Sequence, residues 1–216
     1  MIAPSQDEIT KIKEYLNDSY ESKFLKLRQY VNIVLNENKK HNLIGSNTAQ
    51  NIWLRHVIDS LQLLPYFKEY LCKNKKIDNI IDLGSGAGFP GIILSIAIEK
   101  QTFLIEKSPV KTKFLENVIS ELNINAKVIN KTITTQNSSI LLPKNSIITS
   151  RAFKSIAEIL DIVDKNNDIK KIFLLKGIKW KEEIEKVEKS IINKWDIDVK
   201  NSITGEGVVL LMTKKY

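Results

Sequence analysis

Asp82-Leu83-Gly84-Ser85-Gly86-Ala87-Gly88 joins a carboxylate to three alternating glycines, and Glu106 follows 18 residues after the last of them. A glycine-spaced loop between a strand and a helix lets the backbone approach a ligand closely. An acid about 20 residues further on accepts hydrogen bonds from ribose hydroxyls. A nucleoside-containing ligand is therefore the first chemistry that the sequence implies. Gly86, Gly88 and Gly91 also satisfy G-x-G-x-x-G, which is a weak signal alone. Counted from Gly84, the dinucleotide fingerprint reaches Phe89, so the matching register starts two residues late. A carboxylate at the strand mouth, Asp82, would repel a pyrophosphate and attract the sulfonium and ammonium of S-adenosylmethionine. The competing reading gives Asp82 only a hydrogen bond to the loop backbone.

These residues need a sheet edge to hold them. Ile77, Ile80, Ile81 and Leu83 read as a buried strand, and Pro90 and Gly91 open an apolar helix over residues 92–98. Further strands are expected at residues 102–106, 126–130, 146–149 and 169–175. Helices begin at Ser108-Pro109, carrying Phe114, Val118, Ile119 and Leu122, and over residues 156–163. Trp180, Ile184, Val187, Ile191 and Trp195 form one stripe of a long amphipathic helix. Residues 197–203 and 208–213 close the chain as a hairpin around Gly205-Glu206-Gly207. Residues 5–76 have helical spacing (Phe24, Leu27, Val31, Val34; then Leu54, Val57, Ile58, Leu61), with a break at residues 42–48 and a linker at 73–76. The expected architecture is α/β. A helical extension (1–76) packs on a doubly wound, seven-stranded Rossmann-like sheet (77–216) with an antiparallel last strand.

At 216 residues, 43% hydrophobic and 27% charged, the chain matches an ordinary globular domain with a full core. One cysteine, Cys72, and two histidines, His41 and His56, exclude an internal disulfide and argue against a cysteine- or histidine-rich metal site. The polar start lacks a signal peptide, and the apolar run near the motif is far shorter than the ~20 residues a bilayer span needs. The cytoplasm is the expected location. Net charge is +8, and residues 107–154 hold eight basic side chains against two acidic ones. Such an excess suits a nucleic-acid partner or a merely solvated surface.

The tip of the fourth strand, Ser150-Arg151-Ala152-Phe153, lacks the N-P-P-Y form common where exocyclic amines are methylated. Cys72 lies outside the α/β units, so a covalent cysteine mechanism is not expected. Guanine N7, with an unprotonated in-plane lone pair, needs neither base nor covalent step; positioning suffices. Only Arg28, Arg55 and Arg151 interrupt 30 lysines. Arg151, as a planar fork at a strand tip, suits a cofactor carboxylate or an RNA phosphate. It is expected to lie outside the core, so that its loss harms methyl transfer more than stability. Arg55 and Asp59, four residues apart, either serve the site or simply pair on a helix surface. Arg55, His56, Lys111 and Lys176 are the candidate RNA contacts.

Asn42-Leu43, Arg55-His56-x-x-Asp59-Ser60, the 82–91 loop, Ser150-Arg151-Ala152 and Leu175-Lys176-Gly177 together resemble the ribosomal small-subunit methyltransferase G family, also called glucose-inhibited division protein B. The resemblance covers roughly residues 30–213. It implies methyl transfer from S-adenosylmethionine to N7 of one guanine in 16S rRNA, with the small ribosomal subunit as partner. No metal, no membrane and a monomeric enzyme are expected beside it. It assigns Gly84, Phe89, Thr132, Ile133 and Arg151 to the cofactor, beside Asp82, Gly86 and Glu106 from the loop itself. Ile133 replaces an acidic residue usual in that family, Glu37-Asn38 replaces Trp-Asn, and Gly207 replaces a basic residue. A methyltransferase of small molecules or of another RNA, a nicotinamide-dependent oxidoreductase and a non-catalytic RNA-binding protein are the alternatives.

Overall fold

The computed structural model describes residues 2–166, 168–205 and 207–215, with the side chain of Asp18 excepted. Helix α1 (Gln6–Leu16) starts at a capping box in which Ser5 and Glu8 exchange side-chain and backbone bonds. Helix α2 (Tyr20–His41) ends at Asn42, whose left-handed conformation closes it, and Asn38 Oδ1 accepts from Ile44 N at 2.8 Å. A short α3 (Ser46–Ala49) leads into a π-helical turn (Trp53–Ile58), α4 (Asp59–Leu61) and α5 (Leu64–Lys73).

Strands and helices then alternate: β1 (Asn79–Leu83), α6 (Gly91–Ile98), β2 (Gln101–Ile105), α7 (Pro109–Leu122), β3 (Ala126–Ile129), α8 (Ser138–Leu141), β4 (Ser146–Arg151), α9 (Ile156–Asp164) and β5 (Lys171–Lys176). After α10 (Trp180–Glu185) and α11 (Lys189–Ile192) come β6 (Trp195–Asn201) and β7 (Val208–Lys214). The sheet order is β3-β2-β1-β4-β5-β7-β6. Strands β1 to β5 are parallel, whereas β7 runs antiparallel to both β5 and β6. The order reverses between β1 and β4, so the crevice beyond their carboxyl ends is the place where such sheets take ligands.

The N-terminal helices share one core with the sheet. Ile12, Leu27, Val31, Val34 and Val57 pack into the same cluster as Ile92, Ile93 and Leu115 from α6 and α7. A second cluster lies on the opposite face, where Ile156, Ile159 and Val163 of α9 meet Ile81, Leu83 and Ile148. Phe67 of α5 packs against Phe173 in a third, with tilted rings 4.5 Å apart between centroids.

The single long helix expected from residue 180 to 195 is two short helices. Trp180 and Ile184 do pack against the second cluster, but Val187 lies in the turn between them and Trp195 begins β6. Pairing of β6 with β7 from Trp195↔Lys214 onward decides the matter. The alternation of Trp195, Ile197 and Val199 with Asp196, Asp198 and Lys200 was the period-two signal. Gly207 closes the hairpin against β5: its φ is +95°, and a Cβ there would sit 2.1 Å from the Lys176 carbonyl oxygen. A basic residue has no room at that point.

Candidate active site

Two adjoining clefts open at the carboxyl edge of the sheet. The first, about 710 Å³, is lined by the glycine loop (Gly84, Gly86, Phe89), Glu106, Thr132, Ile133 and Arg151. The second, about 660 Å³, is lined by Arg55, Asp59, Lys176, Gly177, Ser202 and Thr204. Residues 151–155 and His56 form a wall common to both. Both volumes fall in the range of small-molecule sites.

Glu106 closes β2 and organises the first cleft. Its Oε2 accepts from Gly86 N at 2.9 Å and its Oε1 from Ser108 N at 2.8 Å. A carboxylate has about four acceptor sites, so two remain for sugar hydroxyls. Asn130 Nδ2 supports the turn from behind, donating to the Glu106 carbonyl at 3.0 Å. The loop itself is pinned from the N-terminal helices. Fully buried Tyr30 donates to the Ala87 carbonyl at 2.6 Å, and its ring packs 5.1 Å from Phe89.

Asp82 does not face this cleft. It is fully buried, it is absent from the lining, and its Oδ2 accepts from Gly91 N, at the start of α6, at 3.1 Å. Burial pushes its carboxyl up to about 7. The expectation that its charge selects a cationic ligand is therefore corrected. Strand alternation places it with Ile80 beneath α6, and its work is to tie the strand to the helix.

Arg151 sits at the centre of a buried polar knot rather than outside the core. Its Nη1 donates to the Arg55 carbonyl at 2.9 Å and to Asp59 Oδ2 at 3.2 Å, and its Nη2 meets His56 Nδ1. Side-chain exposures of 18% for Arg151 and 13% for Asp59 mark a largely desolvated pair. Asp59 Oδ1 also accepts from Gln62 Nε2 at 2.7 Å, and Gln62 Oε1 accepts from Ile203 N at 2.9 Å. The Arg55-His56-x-x-Asp59-Ser60 segment thus joins the tip of β4 to the β6–β7 turn. Asp59 pairs with Arg151 across the fold.

His56 is 7% exposed, and burial first, then the Arg151 and Arg55 guanidinium groups, push it down to about 3. As a neutral ring accepting from Arg151, it is no surface RNA contact. Lys176 is corrected likewise. Its side chain is 8% exposed, and its Nζ donates to Glu183 Oε2 at 2.7 Å and to the Lys154 carbonyl at 2.6 Å. Arg55 lines the second cleft, and Lys111 lines the first beside Lys107, Lys131 and Lys154.

Sequence reasoning did not anticipate Tyr30, Gln62, Glu183 and Ser202. All four act through contacts whose partners lie apart in sequence, and only the buried helical position of Tyr30 left a trace. Among the described residues, no group of three histidine, cysteine or acidic side chains is placed to hold a metal ion. No described helix is long and apolar enough to cross a membrane.

The profile of the family described as rRNA small subunit methyltransferase G matches residues 23–206. The chain belongs to that family. A ribosomal RNA small subunit methyltransferase G of Rickettsia bellii (strain OSU 85-389) is 41% identical over 165 residues, 76% of this chain and 80% of the relative. Its counterpart in Rickettsia prowazekii (strain Madrid E) is 37% identical over 188 residues, 86% of this chain and 91% of the relative. The fold is that of class I methyltransferases. A solved structure of an MtNAS mutant in complex with S-adenosylmethionine aligns with a TM-score of 0.53 at 17% identity, covering 97% of this chain and 89% of that one. A putative rRNA-methylase from Clostridium thermocellum aligns at 0.52 and 14% identity, covering 71% and 96%.

Proposed function

We propose that this chain is an S-adenosylmethionine-dependent methyltransferase acting on N7 of a guanine in 16S rRNA of the small ribosomal subunit, guanine 527 by family. It works as a cytoplasmic monomer. The observation that carries the reading is the meeting of two clefts at one wall, one built for a nucleoside and the other rimmed by the family's characteristic residues. The first cleft fits the cofactor: Glu106 has free acceptor sites for ribose, Ile133 and Phe89 offer apolar surface, and Gly84 and Gly86 bring backbone close. Thr132 borders the same cleft, and Arg151 reaches it from the shared wall. Bound there, S-adenosylmethionine supplies an electrophilic methyl group on a positively charged sulfur.

The chain's own residues bind and orient. Asp59 is paired to Arg151, and His56, pushed down to about 3, is too weak a base to take a proton near neutrality. Guanine N7 has no proton to lose, so an acceptor of this kind suits a wall at which Asp59 and His56 are both committed to Arg151. Lys107, Lys111 and Lys131 surround the mouth. One carboxylate on the cofactor cannot occupy all three, whereas the repeated phosphates of an RNA backbone can.

Purified protein, labelled S-adenosylmethionine and small subunits or 16S rRNA from a strain lacking the modification test the reading. Label mapping to one N7-methylguanine is expected. No incorporation into either substrate rejects it.

A further inference from the structure

We infer that the Phe153 ring is the platform on which the target guanine stacks, and that its π face stabilises the positive charge that guanine gains on methylation. This rests on the function proposed above. Two ring-bearing side chains line both clefts, His56 and Phe153. His56 is buried and committed to Arg151, while Phe153 is only half-buried.

The ring is fixed in place. It rests on the backbone of the glycine loop, where a Cβ on Gly84 would lie 2.1 Å from Phe153 Cδ2. The chain turns sharply before it at Ala152, φ +50°. Beyond it, Lys176 Nζ holds the Lys154 carbonyl, and Glu183 Oε2 accepts from Ile156 N at 2.9 Å. The ring already attracts a cation, since Lys154 Nζ lies 5.8 Å from its centroid. Lys154 Nζ is also held by Glu158 Oε1 at 2.6 Å, so a purine arriving over the ring leaves that lysine a partner to turn to.

The chemistry makes that affinity useful. The N7 lone pair forms the new nitrogen–carbon bond, and the pair of the broken carbon–sulfur bond returns to sulfur. No proton moves, and the positive charge passes to the purine. Neutral guanine gains stacking alone. The charge–quadrupole attraction grows only as the bond forms, so it raises kcat rather than merely lowering KM.

The test uses the full chain with Phe153 replaced by leucine, by tyrosine, and by phenylalanines of increasing fluorination, which keep the shape and weaken the quadrupole. Two readouts are taken: kcat and KM, and binding of N7-methylated against unmodified 16S rRNA without cofactor. We expect kcat to fall stepwise with fluorination, roughly 3- to 30-fold in all. Cofactor affinity should stay unchanged throughout, and the thermal midpoint should stay unchanged across the shape-conserving fluorinated series. F153Y should keep more activity than F153L, and preference for methylated RNA should vanish in F153L, whose lost packing lowers Tm separately. Unchanged kcat across the fluorinated series overturns the inference. So does a parallel loss of cofactor binding, which would make Phe153 part of the cofactor wall. If the unaltered protein methylates no rRNA, the proposed function fails instead.

Discussion

Arg151→Ala should unfold the protein more easily as well as impair it, contrary to what a strand-tip arginine suggests. The substitution removes the Asp59 contact at 3.2 Å, the Arg55 carbonyl contact at 2.9 Å and the His56 contact together. Breaking a fully buried ion pair by deleting one partner costs about 3–5 kcal/mol. Here both side chains keep some exposure, 18% and 13%, and Asp59 retains Gln62 and Ser202 as donors. A loss of about 2–3 kcal/mol is the reasonable figure. For a chain of this length each kcal/mol lowers Tm by about 2–4 °C, so the expected fall is about 4–12 °C. Thermal and urea unfolding followed by circular dichroism would measure it. Arg151→Lys, which keeps the charge but not the fork, should fall between alanine and wild type. A midpoint for Arg151→Ala within about 1 °C of wild type would refute the view of Arg151 as the knot of this network.

Opposed titrations give a second expectation. His56 has a folded value of about 3 against 6.5, so the unfolded chain binds more protons between those values, and this group makes stability rise with pH. Asp82, at about 7 against 3.8, does the reverse across that window. Urea midpoints from pH 4 to 7 should therefore climb with pH in Asp82→Asn relative to wild type and decline in His56→Gln; parallel curves for all three would contradict the assignments. Lys176→Met should lower Tm yet leave the salt dependence of RNA binding intact, whereas Lys111→Ala should leave Tm unchanged and flatten that dependence by about 0.7–0.9 in log–log slope. The opposite pattern would return Lys176 to the RNA surface. Tyr30→Phe, which deletes the bond to Ala87, should cost about 1 kcal/mol and weaken cofactor binding in calorimetry; unaltered affinity would show that the loop holds its shape without it.

The parallel sheet was legible because each strand is a short apolar run, isoleucine-rich in β1 and β4, separated from the next by a helical period. Glu106 was legible from its offset alone. Asp82 was misplaced because its position in the chain was read and its face was not; alternation with Ile81 and Leu83 already put it on the α6 side. Lys176 and Arg151 were misread for another reason. Their partners, Glu183, Asp59 and His56, are brought in by tertiary packing, and pair-specific polar contacts leave no periodic trace. The broken helix after Trp180 shows the converse. There a helical period and a strand alternation overlapped, and pairing with β7 chose between them.

Glu106 and the glycine loop together form the nucleoside site for a methyl donor on which every later step depends. Calorimetric titration of the purified chain with S-adenosylmethionine and, separately, with NADH tests that directly. Saturable one-to-one binding of the first and none of the second is predicted. Binding of NADH with no heat from S-adenosylmethionine would contradict it.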